Sequence, residues 1–169
     1  MKTLDRSMNT KQYRNDTVSP DEWYTPAWIT DVLGPFDLDP CSPENPPRRI
    51  APLSYDKTQD GLAQPWPPEA FVWLNPPYSR LLLRAFCEKM ADHGNGIALL
   101  RNQVDNLLFQ EVIFPRATSI LFMRRRVRFI RPDGTTGSPF FGSVLVAFGP
   151  EADRRLKGCG IEGKYVSLG

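Results

Sequence analysis

The segment Ala70-Phe71-Val72-Trp73-Leu74-Asn75-Pro76-Pro77-Tyr78 constrains this chain more than any other. The first five residues form an unbroken apolar run of strand length, which predicts a buried strand. Pro76 and Pro77 have no N–H to offer a neighbouring strand, and their fixed φ biases the chain toward an extended loop, so the strand ends there. The periodicity after Ser79 predicts a helix to His93 with Leu82, Leu83, Phe86, Cys87 and Met90 on one face. A strand, a polar loop and a helix in that order place Asn75 and Tyr78 at the carboxyl end of a strand, where open α/β sheets bind ligands.

An Asn, carbonyls released from a sheet ladder and an aromatic ring suit a planar amino group. The nitrogen of an aromatic exocyclic amine is a poor nucleophile, because its lone pair is spread into the ring. Two acceptors aimed at its N–H bonds favour the more tetrahedral nitrogen that can attack a methyl donor. The Asn75 side-chain oxygen and the Pro76 carbonyl are the candidates. Tyr78 would stack on the base, an interaction of about 1–3 kcal/mol. A sulfonium methyl donor is electrophilic enough that positioning and fixed dipoles supply most of the catalysis, without a strong general base. The bland alternative is a loop. The chain has 17 prolines, and pairs recur at Pro46-Pro47 and Pro67-Pro68.

Other landmarks stand in order around this one. Thr25-Pro26 reads as a helix start, with Thr as cap and Pro in the first turn, followed by Trp28, Ile29, Val32 and Leu33 on one face and Gly34 at the end. Phe36-Asp37-Leu38-Asp39-Pro40 reads as a short strand ending in an acid, followed by Cys41. Asp60-Gly61-Leu62 precedes Trp66. Leu99-Leu100-Arg101 ends a short apolar strand, and Pro139-Phe140-Phe141-Gly142-Ser143 opens another.

In their order and spacing these landmarks, from Glu22-Trp23-Tyr24-Thr25-Pro26 onward, resemble the small phage and prophage DNA N6-adenine methyltransferases over roughly residues 20–148. The resemblance implies an α/β, Rossmann-like, S-adenosylmethionine-dependent fold: a mostly parallel sheet with an antiparallel C-terminal hairpin. It implies methyl transfer to N6 of adenine in DNA, with Asn75, Pro76, Pro77 and Tyr78 at the catalytic site. It assigns Thr25, Pro26, Asp39, Pro40, Cys41 and Asp60 to the donor. Asp39 would take the donor's amino group and Asp60 its adenine. Read from the residues alone, Asp-Gly at 60–61 is also an ordinary turn. The usual Gly-rich turn after Asp39 is replaced by Cys41-Ser42-Pro43-Glu44-Asn45-Pro46-Pro47. That departure does not exclude a donor without phosphate, which needs no phosphate cradle.

The remaining expectations concern organisation and partners. Residues 1–19 read as a flexible polar arm, 20–150 as one methyltransferase domain and 151–169 as a short polar tail. A second helix is expected over 103–114, presenting Val104, Leu107, Leu108 and Val112. Strands are expected at 97–100, 118–130 and 141–148. Three scattered cysteines and a single histidine, His93, argue against a disulfide frame or a metal site. Cys87 reads as core and His93 as part of a helix end. No stretch has membrane-spanning length and no signal-peptide core is present, which predicts a cytoplasmic protein, here in a bacterial host. Net charge is only +2, but Arg124, Arg125, Arg126, Arg128 and Arg131 cluster without an intervening acid. On a strand, Arg124, Arg126 and Arg128 would share one side and meet DNA phosphates; a solvated edge strand is the alternative. Arg48 and Arg49 are further phosphate candidates. A target adenine in a duplex must be flipped out. RNA adenine or a glutamine amide are rival substrates, cytosine N4 is less favoured because Asn stands at 75, and a non-catalytic phage protein that masks DNA sites is the rival class.

Overall fold

The computed structural model describes residues 23–169; the arm predicted for 1–19, and Glu22, lie outside them. Helix α1 spans Ala27–Leu33, strand β1 Leu38–Asp39, β2 Leu53–Ser54 and β3 Val72–Leu74. Helix α2 spans Arg80–His93 and strand β4 Gly96–Arg101. A π-helical turn over Phe109–Ile113 runs into α3 at Phe114–Arg116. Then come β5 (Ser119–Met123), β6 (Phe129–Ile130), β7 (Thr136–Gly137) and β8 (Ser143–Phe148), followed by α4 (Pro150–Gly158) and β9 (Gly163–Ser167).

The main sheet has the order β2-β1-β3-β4-β8-β5-β9. β2, β1, β3 and β4 are parallel neighbours. β8 is antiparallel to both β4 and β5, and β9 is antiparallel to β5. The sheet is therefore mixed, parallel in one half only. β5 and β8 pair as the expected hairpin, but β8 is inserted between β4 and β5 instead of lying beyond them, and β6 and β7 form a separate ribbon.

Alternation along the strands explains why their sequences are apolar throughout: both faces are covered. Val72, Leu74, Ala98, Leu100, Val144 and Val146 pack with Phe86 and Met90 of α2 and with Phe109 and Ile113. Phe71, Trp73, Ile97, Leu99, Leu145 and Ala147 face the other way, against Ile29 and Leu33 of α1 and Ala152 and Leu156 of α4. Cys87 is core, as expected.

Several local expectations are corrected. Pro26, not Thr25, occupies the cap position of α1, and no side chain caps it. Only Ile29 and Leu33 of the four apolar residues predicted for that face are buried, while Trp28 and Val32 are about half exposed. Leu82 on α2 and Leu107 are likewise exposed. The second helix is shorter than 103–114 and widens into a π turn; Pro115 has no N–H to return to the Glu111 carbonyl.

Residues 151–169 are not a tail. Ala152 and Leu156, one turn apart, are fully buried, and β9 completes the sheet edge. Arg155 lies over the Phe71 ring at 4.1 Å and donates to the carbonyls of Leu33 and Pro35, tying α4 to the end of α1. A helix with two small or medium apolar anchors among charges leaves little periodic signal.

Gly96 pairs with Val72 where β4 joins β3, and a β-carbon there would lie 2.3 Å from the Val72 carbonyl oxygen and 2.5 Å from the Met90 methyl. Gly96→Ala should lower stability by about 1–3 kcal/mol, the usual range for overpacking, measured as a reduced urea midpoint.

Candidate active site

Three neighbouring parallel strands end at one edge of the sheet. β1 ends in Asp39, β3 is followed by Asn75, and β4 ends in Arg101. Because β1, β3 and β4 are adjacent, the landmarks at 39 and 75 are brought side by side although 36 residues separate them in sequence (75 − 39).

Asn75 is half-buried and its amide nitrogen donates to the Thr25 hydroxyl at 3.4 Å. That contact spans 50 residues and joins the start of α1 to the end of β3. Spending the NH₂ group on Thr25 leaves the amide oxygen as the acceptor of this side chain. Thr25 thus positions Asn75 instead of capping its own helix. Pro76 is buried and Pro77 exposed. Proline at 76 holds Asn75 in an extended conformation, and proline at 77 adds no donor. The Tyr78 hydroxyl donates to the Leu99 carbonyl at 3.5 Å, which ties the ring to β4. Burial pushes its phenol up to about 12, against the pull of the Arg101 charge. The Arg101 guanidinium lies 4.2 Å from the centre of that ring.

Asp39 is 2 % exposed and accepts the Cys41 N–H at 3.2 Å. Burial pushes its carboxyl up to about 7, and the Cys41 N–H only partly offsets this. Pro40 is also buried and Cys41 half-buried. The chain at Asp60-Gly61 packs on this turn so closely that a β-carbon on Gly61 would lie 2.0 Å from the Pro40 carbonyl oxygen. Asp60 has φ +55°, in the left-handed region, and its carboxylate accepts the Leu62 N–H. The turn reading of Asp60 is therefore realised, and the same turn carries an exposed carboxylate next to Pro40.

Two residues hold this loop: Lys89, which the sequence reading passed over, and Trp66, a landmark to which it gave no role. Lys89 of α2 donates to the Leu62 and Gln64 carbonyls, each at 2.7 Å, and lies over the Trp66 ring. Trp66 donates its indole N–H to the Gly61 carbonyl at 2.9 Å. The missing Gly-rich turn is thus replaced by one Gly, a Lys and a Trp. Lys89 faces the core side of α2 among apolar neighbours, which was the available signal.

The arginine cluster does not form a stripe. The chain leaves β5 at Met123, and Val127 is 1 % exposed, so the segment turns inward between its arginines. Arg124 borders a recess with Phe122, Glu162 and Lys164. Arg125, Arg126 and Arg128 border another, of about 520 Å³, floored by Trp28, Val32 and Ile161. All four arginines are exposed. Arg48 is paired with Asp31 at 2.6 Å, while Arg49 is exposed. His93 places Nε2 2.8 Å from the Ala70 carbonyl, and Gly94 in left-handed conformation closes the helix.

The position of Asp39 has a stability consequence. Its folded carboxyl titrates at about 7 against an ordinary 3.8, so the folded state prefers the proton. The stability this group permits is complete below pH 3.8 and declines as pH rises toward 7. Asp39→Asn stays neutral throughout. It should stabilise the protein at pH 8 by on the order of a few kcal/mol and be nearly without effect at pH 4, in paired denaturant melts. A destabilised variant at pH 8 would contradict the burial argument.

The comparisons with known proteins bear on the same residues. A DNA N-6-adenine-methyltransferase of Escherichia phage T1 is 33% identical over 86 residues, which cover 47% of this chain but only 35% of the phage protein. The chain thus matches about a third of that relative's length. No solved structure matches. The family model described as DNA N-6-adenine-methyltransferase (Dam) matches residues 12–156, a span that includes the ends of β1, β3 and β4 and every residue placed around them. By that match, the chain belongs to the Dam family of DNA N-6-adenine-methyltransferases.

Proposed function

We propose that this protein transfers a methyl group from S-adenosylmethionine to the N6 amino group of adenine in DNA. The observation that carries the proposal is the Thr25–Asn75 contact at the carboxyl end of β3, beside Asp39. The Asn75 amide oxygen and the Pro76 carbonyl accept the two N–H bonds of the amine and draw its nitrogen toward a tetrahedral shape. Tyr78 supplies the stacking surface for the base. When bound, the sulfonium donor supplies an electrophilic methyl group. The work left to the chain is to align the amine, exclude water and accept developing positive charge on nitrogen.

The residues around Asp39 fit such a donor. A carboxylate this buried, met by one backbone N–H, is stabilised by a cation, and the donor carries an ammonium group. Asp60, brought against Pro40 by Gly61, presents acceptor oxygens for the donor's adenine amine. Pro26 and Cys41 complete the rim. The parallel half of the sheet, with helices on both faces and the polar residues at its carboxyl edge, supports a Rossmann-like reading of the fold. We take residues 20–150 as the methyltransferase unit, extended by α4 and β9. Arg124, Arg126 and Arg128 remain the phosphate contacts of this proposal, acting from two recesses instead of one stripe. The host cytoplasm, where phage DNA resides, is the matching compartment of this proposal.

The test is methyl transfer from labelled donor to unmethylated genomic DNA, followed by nucleoside mass spectrometry. N6-methyldeoxyadenosine is the expected product. Asn75→Ala should lower turnover by roughly 10²-fold or more, the scale seen when one preorganised polar contact to a transition state is removed, with donor affinity nearly unchanged in calorimetry. Label in RNA or protein but not in DNA would change the substrate. Wild-type turnover in the variant would remove Asn75 from the mechanism.

A further inference from the structure

Arg101 lies against the ring that the proposed reading gives to the target base. It is the last residue of β4, immediately beside the Asn75–Tyr78 loop. Its guanidinium is 4.2 Å from the Tyr78 ring centre and 5.9 Å from the Phe141 ring centre. Phe141 is held at this edge by the strand pairing itself: Arg101 is opposite Ser143, and the Asn102 N–H donates to the Gly142 carbonyl at 2.8 Å. Tyr78 is held by its hydroxyl on Leu99. A planar cation is therefore lodged against two rings that the backbone fixes in place.

What holds Arg101 there is unusual. Its Nε is buried without a hydrogen-bond partner, and among the described residues no carboxylate pairs with the guanidinium. Arginines elsewhere in the chain do find carboxylates, as Arg84 does with Glu88 and Glu111, and Arg155 with Glu151. A guanidinium held only by π faces is displaced by another flat π system, because stacking on Tyr78 is open to either. Its flexible stem lets the head leave without moving β4.

We propose that Arg101 occupies the target-base site on Tyr78 in the protein without DNA and is exchanged for the flipped adenine, so that it determines which bases enter. This rests on the methyltransferase reading for the identity of the base. The exchange sets a threshold. A base delivered by a duplex bound through many phosphates overcomes it readily; an untethered nucleoside does so only near saturating concentration. Arg101 thereby acts as a specificity residue that weakens the binding of free nucleosides and loosely held strands.

The experiment measures binding of 2′-deoxyadenosine by equilibrium dialysis to the full chain and to Arg101→Ala, Arg101→Lys and the double variant Arg101→Ala/Tyr78→Ala. Arg101→Ala should bind about tenfold more tightly than wild type, with Arg101→Lys between them, because lysine keeps the charge but not the flat head. The double variant should lose the gain. Equal or weaker binding by Arg101→Ala, or no binding to any form, would overturn the proposal. A second measurement needs no variant. In wild-type protein the Arg101 δ-CH₂ protons should be shifted upfield by the Tyr78 ring current, and saturating deoxyadenosine should remove that shift. A base that binds and leaves the Arg101 signal unmoved would also overturn it. Methyl transfer by wild-type protein to genomic DNA is scored separately. Tighter nucleoside binding by Arg101→Ala without any transfer would leave the exchange standing and remove the reaction; transfer without the binding change would do the reverse.

Discussion

The site depends on a strand that is forced to stop. β3 lies between β1 and β4 with both faces buried, so every backbone polar group along it must find a ladder partner. Two consecutive prolines remove the donors that would continue the ladder. The carbonyls at that point leave the sheet with their acceptor capacity intact, and the chain turns toward α2. Asn75 is the last side chain before the break. Its amide is oriented not by the sheet but by Thr25, 50 residues earlier in sequence. The geometry at the carboxyl edge therefore rests on α1 being packed correctly. Ile29 and Leu33 under the sheet, and Arg155 reaching from α4 to the end of α1, serve the site as much as the core.

The second requirement is that two separate segments meet on the β1 side of the same edge. A Gly-rich turn would let one segment approach closely by itself. Here the approach is made between segments: Gly61 touches the Pro40 carbonyl, and only a residue without a β-carbon fits. Lys89 and Trp66 clamp the far side of the loop. Lys89 loses solvent in doing so, and desolvation holds its pKa below the usual lysine range. Its ammonium satisfies carbonyls that a loop without regular structure would otherwise leave unpaired. A charged side chain on the helix thus does what glycines do in a shorter turn.

How much of this was legible in the sequence follows from the range of the interactions involved. β3, α2 and the apolar strands were readable because they are specified by local periodicity and by prolines. That Asp39 and Asn75 each stand at a strand end was readable from a strand–loop order; that β1 and β3 are neighbours was not. Thr25 was read as a cap because capping is a local signal; its partner in the structure, Asn75, is distant. The arginine stripe failed because one buried residue, Val127, bends the chain in a segment whose composition looked like a continuous strand. The last helix and strand were missed because Ala152 and Leu156 are too few to show a period, although they anchor a whole helix. Arg101 and Phe141 had no assigned role, because nothing in either local sequence says that their rings and charge converge across two strands.

Two charges flank the edge in opposite states of need. Among the described residues, Asp39 is a buried acid with one N–H and no cation paired with it, and burial pushes its carboxyl up to about 7. Arg101, two strands away, is a cation with two aromatic rings and, among the described residues, no anion. They do not neutralise each other because β3 and Asn75 lie between them. In the proposed reaction, pairing them directly would place an ion pair where a neutral amine is to meet a methyl group. Kept apart, under the proposed reading each is left to a different exchange: a cationic group at Asp39, and at Arg101 a base that takes over the Tyr78 ring. On this argument the barrier between the two is as much a part of the site as the charges. Asn75, neutral and held by Thr25, is the residue type suited to that position. An Asp there would add a second anion beside Asp39 and attract Arg101 away from the Tyr78 ring.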